Sequence, residues 1–227
     1  MSDIVPSGPP VSRRSILQRM AVTAGAAGAA AGLIGGSQAR AAGRDRNSLP
    51  FLYPGWNFRN FEEIQFDENS HVEFLVGALG PMARPMPTFQ NLQQPDAVSF
   101  ARVSRALENT GVGAYLGAAP IIYDRGYLAA AGSIMTVEAR HAGYLDTLLN
   151  MSIVPDNETR DQPLTQQQVI ANASPFIADL NGGPPLAFST TPSAANDIAI
   201  LNFALALEYL EAAFYNINVP IVFHAFF

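Results

Sequence analysis

Residues 64–75 read Ile64-Gln65-Phe66-Asp67-Glu68-Asn69-Ser70-His71-Val72-Glu73-Phe74-Leu75. Residues 134–145 read Ile134-Met135-Thr136-Val137-Glu138-Ala139-Arg140-His141-Ala142-Gly143-Tyr144-Leu145. Laid over one another, the two stretches match at Ile, Glu, His, an aromatic and Leu, and each carries Glu-x-x-His. Positions i and i+3 share one face of a helix, so each stretch aims a carboxylate and an imidazole at the same point. Phe61, Ile64, Glu68, His71, Leu75 and Leu79 are spaced as a core-facing stripe, and so are Ile134, Glu138, His141, Leu145 and Leu149. The polar pair therefore falls in the seam that a bundle buries. A buried charge needs a partner or a metal.

A second echo lies outside these two stretches. Leu107-Glu108 is followed by Tyr115, and Leu207-Glu208 by Tyr215, each Tyr seven residues after its Glu. Leu201, Leu205, Glu208, Ala212 and Tyr215 again form a core stripe with an acid inside it. Gly111 and Gly113 would each cost a helix about 1 kcal/mol against Ala, and close approach of a neighbouring helix is the expected gain.

Helices are expected at roughly 57–80, 95–119, 123–150 and 197–216. Gly80-Pro81 ends the first and Pro120 follows the second, and Asn196 or Asp197 is expected to cap the last. Residues 81–94 read as an ordered crossing loop. Residues 151–195 form a long connection with one short helix, about 165–180, broken by Asn181-Gly-Gly-Pro-Pro185. The tail from Val219 is apolar but too short to span a membrane, and His224 within it has no expected part.

Two helices thus offer Glu plus His and two offer a single Glu. This is the ligand inventory of di-iron and di-manganese carboxylate bundles, here Glu68, His71, Glu108, Glu138, His141 and Glu208. Glu211, one turn from Glu208, is a possible further ligand, a supporting acid or a surface residue. Tyr115 and Tyr215 are expected in the core, within reach of the ligand carboxylates. Four buried carboxylates would each cost several kcal/mol to desolvate unpaired, and two divalent cations would neutralise them. Without metal they would need protons or arginines, and only Arg105 and Arg140 lie near in sequence. On these grounds Glu108 and Glu208 are expected to bridge or chelate, with each Glu-x-x-His pair serving one metal.

Composition narrows the chemistry. The chain of 227 residues is 48% hydrophobic, has no cysteine, and draws all 13 basic residues from arginine. Disulfides, thiolate catalysis and iron–sulfur clusters are excluded. A formal charge of −6 without a basic patch argues against nucleic acid. Nitrogen and oxygen donors without thiolate favour iron or manganese, with zinc possible.

The start of the chain reads as an export leader. Ser12-Arg13-Arg14-Ser15-Ile16-Leu17 precedes a small-residue apolar run from Met20 to about Gly36, then Ala39-Arg40-Ala41. Paired arginines, apolar run and cleavage pattern in that order are a twin-arginine signal over residues 1–41. The expected location is periplasmic or extracellular, with no transmembrane span in the mature form. Residues 42–56 read as a linker, anchored by Leu52, Tyr53 and Trp56, and 57–227 as the helical domain.

These motifs resemble the ferritin-like superfamily. Residues 197–215 and 107–115 look more narrowly like the desiccation-related ferritin-like proteins. The resemblance implies an all-α four-helix bundle around a central metal pair, with metal ions and a small oxidant as partners. It also implies a circularly permuted order, because the helix resembling 197–216 normally comes first in that family. The 151–195 connection is long enough to return the last helix to the vacant position, while a domain swap between two copies is the other arrangement. The expected activity is oxygen- or peroxide-dependent redox, ferroxidase-like or peroxide-removing. The alternative is a non-catalytic bundle for envelope stress or desiccation tolerance.

Overall fold

A computed structural model describes residues 49–223 of the chain, apart from 54, 156 and 157. The leader, most of the linker and His224 lie outside the described residues. Four long helices carry the domain: α1 (Trp56–Leu79), α2 (Ala97–Ala118), α3 (Arg125–Leu148) and α5 (Ala194–Phe223). A short helix, α4 (Gln166–Ala173), sits in the long connection.

Local chemistry sets most of the boundaries. Gly80 adopts a positive φ of 54° and its N–H closes α1 on the Val76 carbonyl. Asp96 caps α2, accepting from the Ser99 N–H at 2.8 Å. Asp124 caps α3, accepting from Gly126 and Tyr127. Thr165 and Gln168 form a reciprocal capping box at α4. Helix α4 stops at Ala173, well short of 180. Pro175 lies in a 3-10 turn, and Ile177–Asp179 (β2) then pair antiparallel with Thr88–Phe89 (β1).

Helix α5 is longer at both ends than its periodicity suggested. Neither Asn196 nor Asp197 caps it. The Ser193 hydroxyl accepts from the Asn196 N–H at 3.1 Å, one turn earlier. Asn196 instead pairs with the backbone of Ser189. Asp197 accepts from the Tyr123 and Asp124 N–H groups, each at 2.8 Å, and so ties α5 to the start of α3. At the other end the helix runs through Pro220, and Val219 and Val222 are buried.

The linker anchor is also different from the expected one. Leu49 is buried, whereas Leu52 is 78% exposed and Tyr53 is stacked edge-on against Trp56 at the surface.

Helix α5 packs chiefly on α1 and secondarily on α2, while α2 packs chiefly on α3. Three apolar clusters bracket a polar layer. The largest contains Phe61 and Ile64 of α1, Phe100 and Leu107 of α2, Leu145 of α3 and Phe214 of α5. At the far end Leu75 and Leu79 meet Leu201 and Leu205, and Tyr115 meets Ala131 and Ile134. The order of these layers along each helix runs the same way in α1 and α2, and the opposite way in α3 and α5. Residues 81–94 therefore cross the bundle to start α2 at the end where α1 began. They are held there by Asn202, which accepts from the Arg84 N–H, and by Asn218, which accepts from the Gln94 N–H. Among the described residues one helix, α5, is long and apolar enough to cross a membrane. Some 72% of its most apolar window is buried, as expected of the core helix of a bundle.

Candidate metal centre

Each of the four long helices sends an acid into the layer between the apolar clusters. Glu68, Glu108 and Glu138 have no solvent exposure and Glu208 has 1%, while His71 and His141 are buried beside them. His71 Nδ1 lies 3.1 Å from Glu138, 3.3 Å from Glu208 and 3.4 Å from Glu68. His141 Nδ1 lies 3.0 Å from Glu68 and 3.1 Å from Glu108. Two four-residue groups result, each with its donor atoms within 4.8 Å of one another. One is Glu68, Glu108, Glu138 and His141, and the other is Glu68, His71, Glu138 and Glu208.

The two groups share Glu68 and Glu138. The shared position belongs to the acids of the Glu-x-x-His pairs, not to Glu108 and Glu208, which each enter one group only. Each group also contains one whole Glu-x-x-His pair and one of the two single acids. Direct contacts between α1 and α3, His71 with Glu138 and His141 with Glu68, bring their two acids together.

Supporting contacts complete the layer. Tyr115 donates to Glu208 Oε1 at 2.5 Å, and Tyr215 donates to Glu108 Oε1. Burial, then the neighbouring carboxylates, push both phenols well above their ordinary pKa, so both act as neutral donors. His141 Nε2 meets Asp67 Oδ2 at 3.1 Å. Asp67 was not foreseen, because it lies one residue off the core stripe and is part-exposed. Arg105 pairs with Asp146 and Arg140 is exposed, so neither neutralises the central acids.

The electrostatics express this crowding. Burial raises the pKa of Glu108 and Glu138, and neighbouring carboxylates raise Glu138 further. Burial alone would lower His141, but Glu108 and Glu68 outweigh it and push the imidazole up to about 12. His71 is raised in the same way against its burial, by Glu138, Glu208 and Glu68.

Both oxygens of Glu68, both of Glu138, one of Glu208 and Nδ1 of His71 are buried, and their close approaches of 3.0 to 3.4 Å lack the geometry of a hydrogen bond. Unsatisfied buried polar atoms are rare in folded proteins. Here they converge on one small volume, and their chemistry suits divalent cations.

Gly111 makes room for this volume. A Cβ there would lie 3.1 Å from Glu138 Oε2 and 3.6 Å from Glu211 Oε1. Glu211 is buried, but it belongs to neither four-residue group. Gly113 has a different purpose from the expected helix contact. The long connection just ahead of α4, not a helix, lies on it: Leu164 donates its N–H to the Gly113 carbonyl at 2.9 Å, and its side chain covers the glycine.

Fold and site together define a helical bundle with a buried carboxylate–histidine cluster able to hold divalent metal. The chain belongs to the ferritin-like domain family, whose model matches residues 22–151 and 196–220. The match is split by the long connection, consistent with a permuted helix order. No curated protein and no solved structure matches the chain.

Proposed function

We propose that this is an exported ferritin-like protein that binds two divalent cations and uses them in oxygen- or peroxide-dependent redox chemistry. The observation that carries the reading is the convergence of buried carboxylates and imidazoles from four helices of one chain, those of three helices holding unsatisfied atoms. Glu68 and Glu138 would bridge, with Glu108 and His141 completing one position and Glu208 and His71 the other. Iron or manganese fits six nitrogen and oxygen donors best. Such a pair, when bound, supplies electrons to a small oxidant.

The chain's own groups do the rest. Tyr115 and Tyr215 fix the free oxygens of the terminal acids. Asp67 orients the His141 ring so that Nδ1 faces the centre. The apolar layers above and below keep bulk water away, which strengthens every interaction inside. The twin-arginine leader supports export of a folded, loaded protein.

Purified protein loaded with Fe2+ is expected to consume peroxide or oxygen, and Glu138→Gln is expected to abolish this. Equal consumption by the variant would refute the redox reading. Export is tested by Arg13→Lys with Arg14→Lys, which should hold the protein inside the cell.

A further inference from the structure

Glu211 is a fifth buried glutamate, which the two metal positions do not use. It is 3% exposed, and among the described residues no hydrogen bond reaches its carboxylate. Burial and then the charges of Glu138 and Glu68 bear on it, yet no arginine or histidine pairs with it. It lines a cavity of about 10 Å³, the room of roughly one water, walled also by Leu107, Thr110, Gly111 and Ala173.

That cavity abuts a much larger opening. A cleft of about 440 Å³ runs along α2 on its α4 side, and it too is lined by Leu107 and Thr110. Leu107 and Thr110 line both, and the Thr110 hydroxyl accepts from Asn172 Nδ2 at 2.9 Å and donates to the Ala106 carbonyl at 2.7 Å. On the inner side, Glu211 and Glu138 both reach the bare backbone of Gly111. Shared walls thus lead from the cleft to Glu211, and Gly111 leads from Glu211 to an acid that belongs to both metal positions.

We propose that Glu211 and Glu138, meeting over Gly111, form a transit site that passes divalent cations from the α2–α4 cleft into the centre. The proposal rests on the metal reading above. A carboxylate in the path offers an incoming cation a ligand as it sheds water, and Glu138 then draws it on. Gly111 keeps the step between them clear.

The test strips the chain of metal and follows Co2+ uptake by its visible absorption. Glu211→Gln should slow loading about tenfold, because a charged stepping stone is lost, while saturation stays at two ions per chain. Loading at the parental rate would overturn the proposal. So would saturation one ion short, which would make Glu211 a permanent ligand. Asn172→Phe gives an independent arm should Glu211→Gln not fold, since Asn172 is exposed on α4. A ring there should plug the cleft and slow uptake without changing the endpoint, and an unchanged rate would overturn the route. A parent that takes up no Co2+ overturns the metal reading itself. A parent that loads normally beside unaffected variants overturns the transit site alone.

Discussion

His141 and Asp67 are joined at the edge of the bundle, with Nε2 of the ring 3.1 Å from the carboxylate and Nδ1 turned inward. The internal repeat makes this contact one-sided. The position equivalent to Asp67 in the second copy is Val137, so no matching acid is offered to His71. The two metal positions should therefore differ. Asp67→Asn should weaken one ion by about 10–100-fold and leave the other near its parental affinity. Calorimetric titration of the stripped protein would show one step shifted and one unchanged.

The two tyrosines should matter for stability as well as for geometry. Tyr215→Phe leaves Glu108 Oε1 without its donor, at a cost of about 1–3 kcal/mol. Tyr115→Phe should do the same to Glu208. Urea unfolding of the metal-free protein measures both. Loss of the phenol without loss of stability would mean the acids find other donors.

Glycine substitutions separate propensity from packing. On helix propensity alone, Gly117→Ala in α2 should stabilise by about 1 kcal/mol. The Leu164 carbonyl lies where the new Cβ would go. Overpacking should win, with a net loss of about 1–3 kcal/mol. Gly113→Ala meets mainly the Leu164 side chain, which can move, and should cost less. Thermal unfolding of the two variants gives the order.

Metal-free protein should lose stability as pH rises. Glu138 and His141 both titrate higher folded than unfolded, so the folded state holds more protons in between. Stability then falls with pH, for the acids from above 4.5 and for His141 between 6.5 and about 12. Bound cations replace those protons. The loaded protein should lack this slope, and apparent metal affinity should rise with pH. Melting curves from pH 6 to pH 9, with and without metal, are the check.

The sequence carried the site further than it carried the surroundings. Six donors were legible because each acid or imidazole interrupts an apolar stripe, and a stripe fixes which way a side chain points. Asp67 was not legible, because a half-exposed residue beside a stripe carries no periodic signal. Which acids two groups share was not legible either, because periodicity places a residue on a face, but not at the middle or the edge of the layer. Gly113 was read as a helix contact, yet its neighbour is Leu164, 51 residues on in the long connection. The pairing of β1 with β2 is equally non-local, two residues against three across the long connection.

The most direct test is the metal content of the folded chain, measured by elemental analysis after loading and exhaustive dialysis. The account predicts two divalent ions per chain, falling below one in Glu138→Ala because that acid belongs to both positions. A parent that holds well under one ion, or a Glu138→Ala protein that still holds two, would contradict it.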